Sequence, residues 1–315
     1  MIYTVTLNPA VDRELTVPAI EFDTVLRASD WRVDFGGKGF NVSRMLISLG
    51  TASTALGFAG GRAGELLCDG LESLGIATDF VWVDGETRTN VSIVSGSHDH
   101  YVKANEPGPT IAAADQEKLL VQIRRLAQPG DWWVLAGSLP PGVPAGMYAD
   151  IIAILREAGA KAILDTSGKA LAEGCGARPF LAKPNDVEAG QLTGLPVRNQ
   201  AQIAAAAQAV QAAGVSNVVI SLGKAGALLA DGRQTLIAAS PAIEERNPIG
   251  AGDSMVGGLV WGLSQGQDVA EALRWGIACG AATASMSGTA VGSRQLVESL
   301  AKQVGMIPLS WKDDP

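Results

Sequence analysis

Short apolar runs with the length of buried strands alternate with stretches of helical periodicity along most of this chain. Residues 2–7, 132–136 and 217–222 are typical of strands buried on both faces, and helical stretches lie between such runs. Alternation of this kind predicts an α/β domain, in which helices flank both faces of a doubly wound, mostly parallel sheet. Since no linker rich in Ser, Pro or Gly divides the 315 residues, we expect a single domain over residues 1–315.

Two segments, residues 11–34 and 81–103, interrupt the alternation. They are rich in Val, Thr and Trp, alternate in charge and show little helical period, which is typical of β-strands. We expect them to pair outside the main sheet as a small β-sheet lid. A two-stranded ribbon is marginally stable, so the apolar face that carries Trp31 and Trp82 needs cover. A second copy of the chain would supply it, and this predicts a homodimer joined through the lids.

Composition narrows the classes of function. Lys and Arg total 24 against 32 Asp and Glu, a net charge of −8, so a general role on nucleic acid or an anionic membrane is not expected. The chain has no apolar run long enough for a membrane span, and its N-terminus lacks the pattern of a signal peptide. The three widely spaced cysteines fit a reducing compartment. We therefore expect a cytoplasmic protein.

Most of the common catalytic sequence motifs are absent from the sequence or lie in the wrong structural context. The sequence contains no Gly-x-x-x-x-Gly-Lys-Ser/Thr phosphate loop and no Gly-x-Gly-x-x-Gly after the first predicted strand. The Gly-x-Ser-x-Gly at residues 262–266 follows a helical stretch instead of a strand, so Ser264 is not expected to be a nucleophile. His98 and His100 lie in a polar stretch that favours a solvated hairpin turn over a catalytic or metal role.

The strongest local signal is the block NPIGAGDS at residues 247–254, which opens an apolar helix. Gly250, Ala251 and Gly252 leave the amides of the helix N-terminus open to an anion, and the aligned peptide dipoles favour negative charge there. Asp253 follows within the first turn. A carboxylate that only caps a helix needs no flanking glycines. The pairing therefore favours phosphoryl transfer, with the amides as an anion hole and Asp253 as the general base.

A second cluster, GGKGFN at residues 36–41, also precedes a helix. Its glycines allow a ligand to approach the backbone, and Lys38 and Asn41 add a charge and an amide. A tight turn from strand to helix explains the glycines equally well.

A third cluster lies at residues 181–188, where a strand ends and a helix begins. Asn185 and Glu188 are three residues apart and share one helical face. Such a pair suits the waters of a magnesium ion. It also suits a helix-capping box, which the spacing taken alone favours.

These blocks occur in one order together with NPAVD at residues 8–12, and in this combination the sequence resembles the PfkB (ribokinase-like) family of sugar kinases. The Gly-Gly-Lys-Gly-x-Asn and Gly-Ala-Gly-Asp-Ser blocks resemble the two signatures of the family, and the resemblance runs to about residue 292. Within the family the sequence is similar to 1-phosphofructokinases and tagatose-6-phosphate kinases. The segments that carry this similarity are TLNPAVD at 6–12, TRTNV at 87–91, KANEPGP at 103–109 and SLPPG at 138–142.

The resemblance implies a ribokinase-like fold with a lid inserted at about 11–34 and 81–103, the use of ATP and Mg²⁺, and roles for individual residues. Asp253 matches the catalytic base, and the anion hole matches Gly250, Ala251 and Gly252. The residues that match the sugar-phosphate site are Asp12, Gly37, Lys38, Asn41, Arg88, Asn90, Lys103 and Ser138. The residues that match the nucleotide and magnesium side are Lys183, Asn185, Glu188, Ser221, Leu222, Gly223, Lys224, Ala225, Gly226 and Gly252.

The reaction that the resemblance favours is phosphorylation of fructose 1-phosphate by ATP to give fructose 1,6-bisphosphate. The C6 hydroxyl would face Asp253, and Lys38 and Arg88 would hold the phosphate already on the sugar. An acidic protein needs specific cations of this kind to hold a dianionic substrate.

Other functions stay open. Pro248 stands where 1-phosphofructokinases often carry Thr and resembles the tagatose-6-phosphate branch, so tagatose 6-phosphate and fructose 6-phosphate are alternative acceptors. A nucleotide-binding regulator without catalysis is a further alternative, against which the intact Gly-Ala-Gly-Asp argues. A nucleoside kinase is a third, and Lys38 and Arg88 argue against it because a nucleoside brings no phosphate. The sequence also leaves open whether a monovalent cation such as potassium is used.

Overall fold

The apolar runs of the sequence become the strands of a large sheet in the computed structural model, which describes residues 1–97 and 100–309. In chain order the strands are β1 (Ile2–Thr6), β2 (Ala10–Val17), β3 (Asp30–Gly36), β4 (Thr54–Ala59), β5 (Ala77–Thr78), β6 (Val81–Trp82), β7 (Arg88–Ser95), β8 (Tyr101–Ala104), β9 (Trp132–Ala136), β10 (Lys161–Asp165), β11 (Leu181–Ala182), β12 (Asn217–Ser221), β13 (Ala227–Ala230), β14 (Thr235–Ala239) and β15 (Gly305–Pro308). The helices are α1 (Lys38–Ser48), α2 (Gly61–Ser73), α3 (Ala113–Leu126), α4 (Met147–Glu157), α5 (Gly168–Gly176), α6 (Asp186–Thr193), α7 (Gln200–Ala212), α8 (Ala251–Ser264), α9 (Val269–Ala284) and α10 (Arg294–Ala301).

The large sheet has the spatial order β15-β14-β13-β12-β11-β10-β9-β1-β4-β5, and β6 also pairs with β4. Its strands are parallel from β12 to β5, which confirms the mostly parallel, doubly wound prediction. The edge from β12 to β15 is antiparallel, a feature the sequence analysis did not predict. The connections at Gly223–Ala225 and around Gly232, whose φ is +78°, are too short for a crossover helix, so the chain turns back.

Helices cover both faces of the large sheet and enclose two apolar cores. Neighbouring residues of a strand point to opposite faces, and the pair in β9 shows this directly. Trp133 belongs to the core under α3, α4 and α7, where it stacks on Tyr3 with ring centroids 4.2 Å apart. Trp132 belongs to the core under α1, α8 and α9. Both tryptophans are buried, which explains why this strand is a continuous apolar run.

A second, smaller sheet of order β3-β2-β7-β8 lies apart from the large one. It contains most of the two segments predicted to leave the main sheet, but residues 18–29 form a loop. Val81–Trp82 was wrongly placed there, because it pairs with Phe58 and Ala59 of β4 in the large sheet. Val81 is buried in the core under α3, so after β3 the chain returns to the small sheet only beyond β6. Trp82 therefore does not lie on the apolar face of the small sheet.

The two faces of the small sheet differ in chemistry. Asp12 lies opposite Asp34 on β3 and Asn90 on β7, and this row is polar. On the other face, the inner part is covered by α2, where the ring of Phe35 lies so close to Gly70 that any larger residue would clash. Farther out, one cross-strand row is apolar, and its side chains are half-buried or exposed in the described part of the chain. This row consists of Trp31, Leu15, Ile93 and Val102. Trp31 is 65% exposed there.

Three predictions about rejected motifs and membranes have simple outcomes. His98 falls outside the described residues, which resume at His100 just before β8. Ser264 lies in the last turn of α8, and its hydroxyl donates to the carbonyl oxygen of Trp261 at 2.7 Å. This bond satisfies a main-chain group near the helix end, which agrees with a structural role for Ser264. Among the described residues, no helix combines the length and apolarity needed to cross a bilayer.

Candidate active site

Polar side chains from four elements meet at the carboxyl ends of the parallel strands. Lys38 and Asn41 come from the first turn of α1, Asp165 ends β10, and Lys183 follows β11. Asp253 comes from the first turn of α8. In open α/β sheets this edge is where ligands bind. The structure therefore unites residues that the sequence separates by as many as 215 positions, and it adds Asp165, which the sequence analysis missed.

Asp253 has the environment of a carboxylate that exchanges a proton near neutral pH. It is 8% exposed, and the side-chain amide of Asn41 donates to its Oδ2 at 2.8 Å. Burial and the charge of Asp165 raise the pKa of Asp253 to about 6, although Lys38, Asn41 and Lys183 act in the opposite direction. A pKa near the working pH is what a general base requires.

The start of α8 is open to a ligand. Gly250 precedes the helix with a φ of +79°, and within the described part of the chain no side chain caps this helix. Asp253 is thus not the cap that was weighed as its alternative role. A Cβ atom at Gly250 would lie 3.8 Å from the Asn41 amide nitrogen, and one at Gly252 would lie 3.9 Å from Lys183 Nζ. The helix amides are therefore flanked by two further donors, an arrangement suited to an anion.

Asp165 lies at the centre of the site and is 1% exposed. Its Oδ1 accepts from Lys38 Nζ at 3.1 Å and lies 3.3 Å from Lys183 Nζ. Burial lowers the pKa of Lys38, but Asp165 and Asp253 outweigh burial and leave it raised, so the ammonium stays charged. The available sequence signal was a carboxylate directly after the apolar run Ala-Ile-Leu, at the end of a strand of the parallel sheet.

Gly36, which ends β3, and Gly37, which precedes α1, are both closely packed. Asn90 donates to Asp12 Oδ1 at 2.7 Å, and a Cβ atom on Gly36 would overlap Asp12 Oδ2. A Cβ atom on Gly37 would lie 2.7 Å from the ring of Phe40. Close packing of the turn thus requires these glycines, as the alternative interpretation held. The same packing places Asp12 and Asn90 beside the start of α1.

The remaining residues predicted to hold the sugar phosphate do not share one environment. Lys103 and Ser138 are exposed. Arg88 donates to three main-chain carbonyl oxygens, those of Asn8 at 2.9 Å, Pro9 at 3.3 Å and Glu106 at 3.3 Å. Burial lowers the pKa of Arg88, partly offset by Asp12. The contacts of Arg88 thus join the base of the small sheet to two loops, a structural role that the sequence did not reveal.

Asn185 and Glu188 form the capping box that their spacing suggested. The backbone amide of Glu188 donates to Asn185 Oδ1 at 2.7 Å, and the backbone amide of Asn185 donates to Glu188 Oε2 at 2.8 Å. Each side chain keeps a second polar atom. Among the described residues, no group of three or more His, Cys, Asp or Glu side chains is arranged to hold a metal ion.

A cleft of about 890 Å³ leads away from the start of α8. Its lining includes the polar Asn185 and Ser221, Gly252 in the first turn of α8, and the apolar Ile243 and Ile277. Three more of the residues predicted for the nucleotide lie along it, namely Gly223, Lys224 and Gly226. Leu222 and Ala225 belong to the same turn. A cleft with both apolar walls and open helix amides has the features that a nucleoside triphosphate requires.

Fold and site together define a class, the phosphotransferases that use an alcohol group as acceptor, on a ribokinase-like scaffold. The model of the pfkB family carbohydrate kinases matches residues 5–295. The chain belongs to this family, and membership implies the use of ATP.

Individual relatives agree with this family. The 1-phosphofructokinase of Rhodobacter capsulatus is 38% identical over 274 residues, which cover 87% of each chain. The structure of phosphofructokinase-2 from Escherichia coli in complex with potassium aligns with a TM-score of 0.91 at 30% identity, covering 96% of this chain and 98% of that one. The ribokinase of Arabidopsis thaliana, at 20% identity, aligns with a TM-score of 0.76 over 96% of this chain and 98% of its own, and shares the fold.

Proposed function

We propose that the chain transfers the γ-phosphoryl group of ATP to the C6 hydroxyl of fructose 1-phosphate, giving fructose 1,6-bisphosphate and ADP. The observation that carries this proposal is the placement of Asp253. Its buried carboxylate lies in the first turn of α8, whose open N-terminus borders the nucleotide-sized cleft, and it accepts a hydrogen bond from Asn41, a residue assigned to the sugar. The names of the curated relatives favour fructose 1-phosphate among the sugar phosphates.

In this proposal Asp253 accepts the proton of the attacking hydroxyl, and Asn41 orients the carboxylate through their 2.8 Å hydrogen bond. The amides of residues 250–252 stabilise the charge that develops on the transferred group. Lys183 lies beside Gly252 and neutralises the nucleotide phosphates. When bound, Mg²⁺ supplies further neutralisation. Asn185 and Glu188 would hold it through water with the polar atoms that the capping box leaves over.

The sugar side is assigned by chemistry. Asp12, Asn90, Gly37 and Asn41 would hold the hydroxyl groups, since they offer carboxylate, amide and open backbone at one place. The cations for the 1-phosphate would be Lys38, Arg88 and Lys103, and Ser138 would add a hydroxyl. Lys38 has three N–H donors, of which Asp165 takes one, and Arg88 has five, of which carbonyl oxygens take three.

Tagatose 6-phosphate and fructose 6-phosphate are the second candidates for the acceptor. The sequence feature that favoured them was Pro248. In the structure Pro248 lines the nucleotide cleft together with Ala251 and Met255. Because that cleft is assigned to ATP, Pro248 bears on the nucleotide more than on the sugar isomer, and fructose 1-phosphate remains the first choice.

The small sheet is proposed to close over the sugar as a lid within one domain. The apolar row of Trp31, Leu15, Ile93 and Val102 is proposed to pack against the same row of a second copy, forming a homodimer. We further propose a cytoplasmic location, in keeping with three free cysteines in a metabolic enzyme. Dependence on a monovalent cation is open, and the potassium complex of the Escherichia coli relative makes it worth measuring.

A panel of acceptors tests the proposed function. ADP release is measured with fructose 1-phosphate, fructose 6-phosphate, tagatose 6-phosphate, fructose and adenosine, each with and without potassium. The proposal expects the highest kcat/KM with fructose 1-phosphate. A higher value with either 6-phosphate would change the acceptor and leave the reaction type intact. Absence of turnover with every compound would support a nucleotide-binding regulator instead.

A further inference from the structure

Two lysines of the site are assigned to different substrates, yet both pair with one carboxylate oxygen. Lys38 is assigned to the sugar phosphate and Lys183 to ATP, and Oδ1 of Asp165 lies within 3.3 Å of both ammonium nitrogens. Within the described part of the chain, both ammonium groups pair with Asp165, and neither lies at ion-pair distance from Asp253. Asp165 thus lies between the donor side and the acceptor side of the reaction.

The charge and burial of these groups make the position of each ammonium group depend on Asp165. The cluster around Asp165 consists of two ammonium groups, Lys38 and Lys183, and two carboxylates, and of these Asp165, Lys183 and Asp253 are buried. Among the described residues, the second oxygen of Asp165 is buried without a hydrogen-bond partner, so its charge is stabilised through the two lysines. A buried ion pair that loses one partner leaves an uncompensated charge, which is strongly unfavourable. With Asp165 replaced by a neutral residue, Asp253 would be a further buried carboxylate that interacts with both ammonium groups.

We propose that Asp165 is a positioning residue that holds Lys38 and Lys183 together and keeps both ammonium groups off Asp253. Each lysine then offers its remaining N–H donors to a substrate phosphate, and the carboxylate of Asp253 stays free to accept a proton. This inference rests on the proposed role of Asp253 as general base. The opposing effects of Asp165 and the lysines on the pKa of Asp253 agree with it.

The charged and polar groups that face Asp253 come from three packed elements. They are Lys38 and Asn41 on α1, Asp165 at the end of β10 and Lys183 after β11. Removing the charge of Asp165 removes a neighbour that raises the pKa of Asp253 and releases lysines that lower it. Both changes act in the same direction, so the variant Asp165→Asn is expected to have a more acidic Asp253.

The experiment compares wild type with Asp165→Asn in two measurements. The first is the pH profile of kcat/KM with the best acceptor, and the second is the pKa of Asp253 from carbon NMR of the substrate-free protein. For Asp165→Asn we expect kcat to fall at least tenfold. The acid limb of the pH profile is the part where kcat/KM rises as Asp253 loses its proton. We expect this limb and the NMR pKa of Asp253 to shift down together by about one pH unit, because loss of a neighbouring negative charge lowers the pKa of a carboxyl group. An unchanged limb and pKa in a folded variant would overturn the proposal.

Asp131 provides a matched control, because it is also buried and paired with an ammonium group, the N-terminus at 2.8 Å, and precedes β9, away from the site. Asp131→Asn should lower the melting temperature and leave the acid limb in place. If Asp165→Asn behaves in the same way, the role of Asp165 is structural only. Asp165→Ser serves if the Asn variant does not fold. The NMR measurement needs no turnover, so a failure of the proposed acceptor and a failure of this inference are distinguishable.

Discussion

The large sheet and the small sheet contribute residues of different kinds to the candidate site. Asp165, Lys183 and Asp253 are anchored by the large sheet and its helices and are at least 92% buried. The small sheet contributes Arg88 and Lys103, which keep more contact with solvent. Under the proposed function this difference is a division of roles, in which the large sheet would fix the groups that transfer the phosphoryl group and the small sheet would bind the substrate.

Packing explains the difference. The strands of the large sheet are covered by helices on both faces, so charges at its edge are poorly solvated and act strongly on one another. The small sheet has helical cover on part of one face, and its connections to the large sheet pass through loops held by Arg88. Substitutions in the two regions should therefore have different consequences, and four variants test this.

The largest effect is expected for Asp253→Asn. Loss of a general base typically costs about 10²- to 10⁴-fold in rate, so kcat should fall by that factor while ATP still binds. Wild-type kcat in a folded Asp253→Asn protein would falsify the assignment.

The same variant should be more stable than wild type at pH 8. The pKa of Asp253 is about 6 in the folded chain against an ordinary 3.8, so the folded state binds more protons between these values. The free energy of unfolding of the wild type therefore decreases as pH rises from about 4 to about 6, and Asp253→Asn avoids this loss, at most about 3 kcal/mol. Melting curves at pH 4 and pH 8 check this, and the stability difference should nearly vanish at pH 4.

Arg88→Ala tests whether the small sheet binds the phosphate group of the substrate. A charge-assisted contact to phosphate is worth about 1.5 to 3 kcal/mol, so kcat/KM on fructose 1-phosphate should fall about 10- to 150-fold. The weak activity expected on free fructose should change little. Arg88→Lys separates the two roles of this residue, since it keeps the charge and loses the contacts to the three carbonyl oxygens.

Arg13 is the control for Arg88. It lies in β2 next to Asp12 and therefore on the opposite face of the small sheet. Arg13→Ala should leave both activities unchanged. Equal proportional losses on the two sugars for Arg88→Ala would mean that Arg88 supports the structure of the small sheet and does not read phosphate.

Glu188→Gln tests whether the capping box also serves magnesium. The amide keeps an oxygen for the backbone of Asn185, so the melting temperature should hardly change, while the magnesium concentration for half-maximal rate should rise about tenfold. Ser293→Ala, at the cap of α10, should do the reverse and cost about 1 kcal/mol of stability. A Glu188→Gln protein that melts much lower and has an unchanged magnesium titration would show that Glu188 is a cap alone.

The smallest effect on turnover is expected for Trp31→Asp, which places a charge in the exposed apolar row of the small sheet. Sedimentation at micromolar concentration should show a dimer for wild type and a monomer for Trp31→Asp. Trp82→Asp is a matched control, because Trp82 is 49% exposed but lies on β6 in the large sheet. A wild-type monomer would refute the dimer and leave the lid as a proposal.

The sequence predicted the doubly wound sheet because its strands are buried on both faces and read as unbroken apolar runs. It could not place Val81–Trp82, because a two-residue strand carries too little periodicity to be assigned to either sheet. It predicted Asp253 and Asn41 as members of one site through the family resemblance, but their hydrogen bond depends on the packing of α1 against α8. The sequence did not reveal Asp165, because a single aspartate at the end of a strand is also typical of an ordinary turn.

The alternation of the small sheet has a consequence for how such a chain tolerates change during evolution. Asp12 and Arg13 are adjacent in sequence but point to opposite faces, so single substitutions can alter one face and leave the other untouched. An insertion or deletion of one residue within β2 would move every following side chain of the strand to the opposite face of the sheet. Substitutions should therefore accumulate readily in these strands, whereas length variation should be confined to the loop at residues 18–29 and to the connection between β7 and β8.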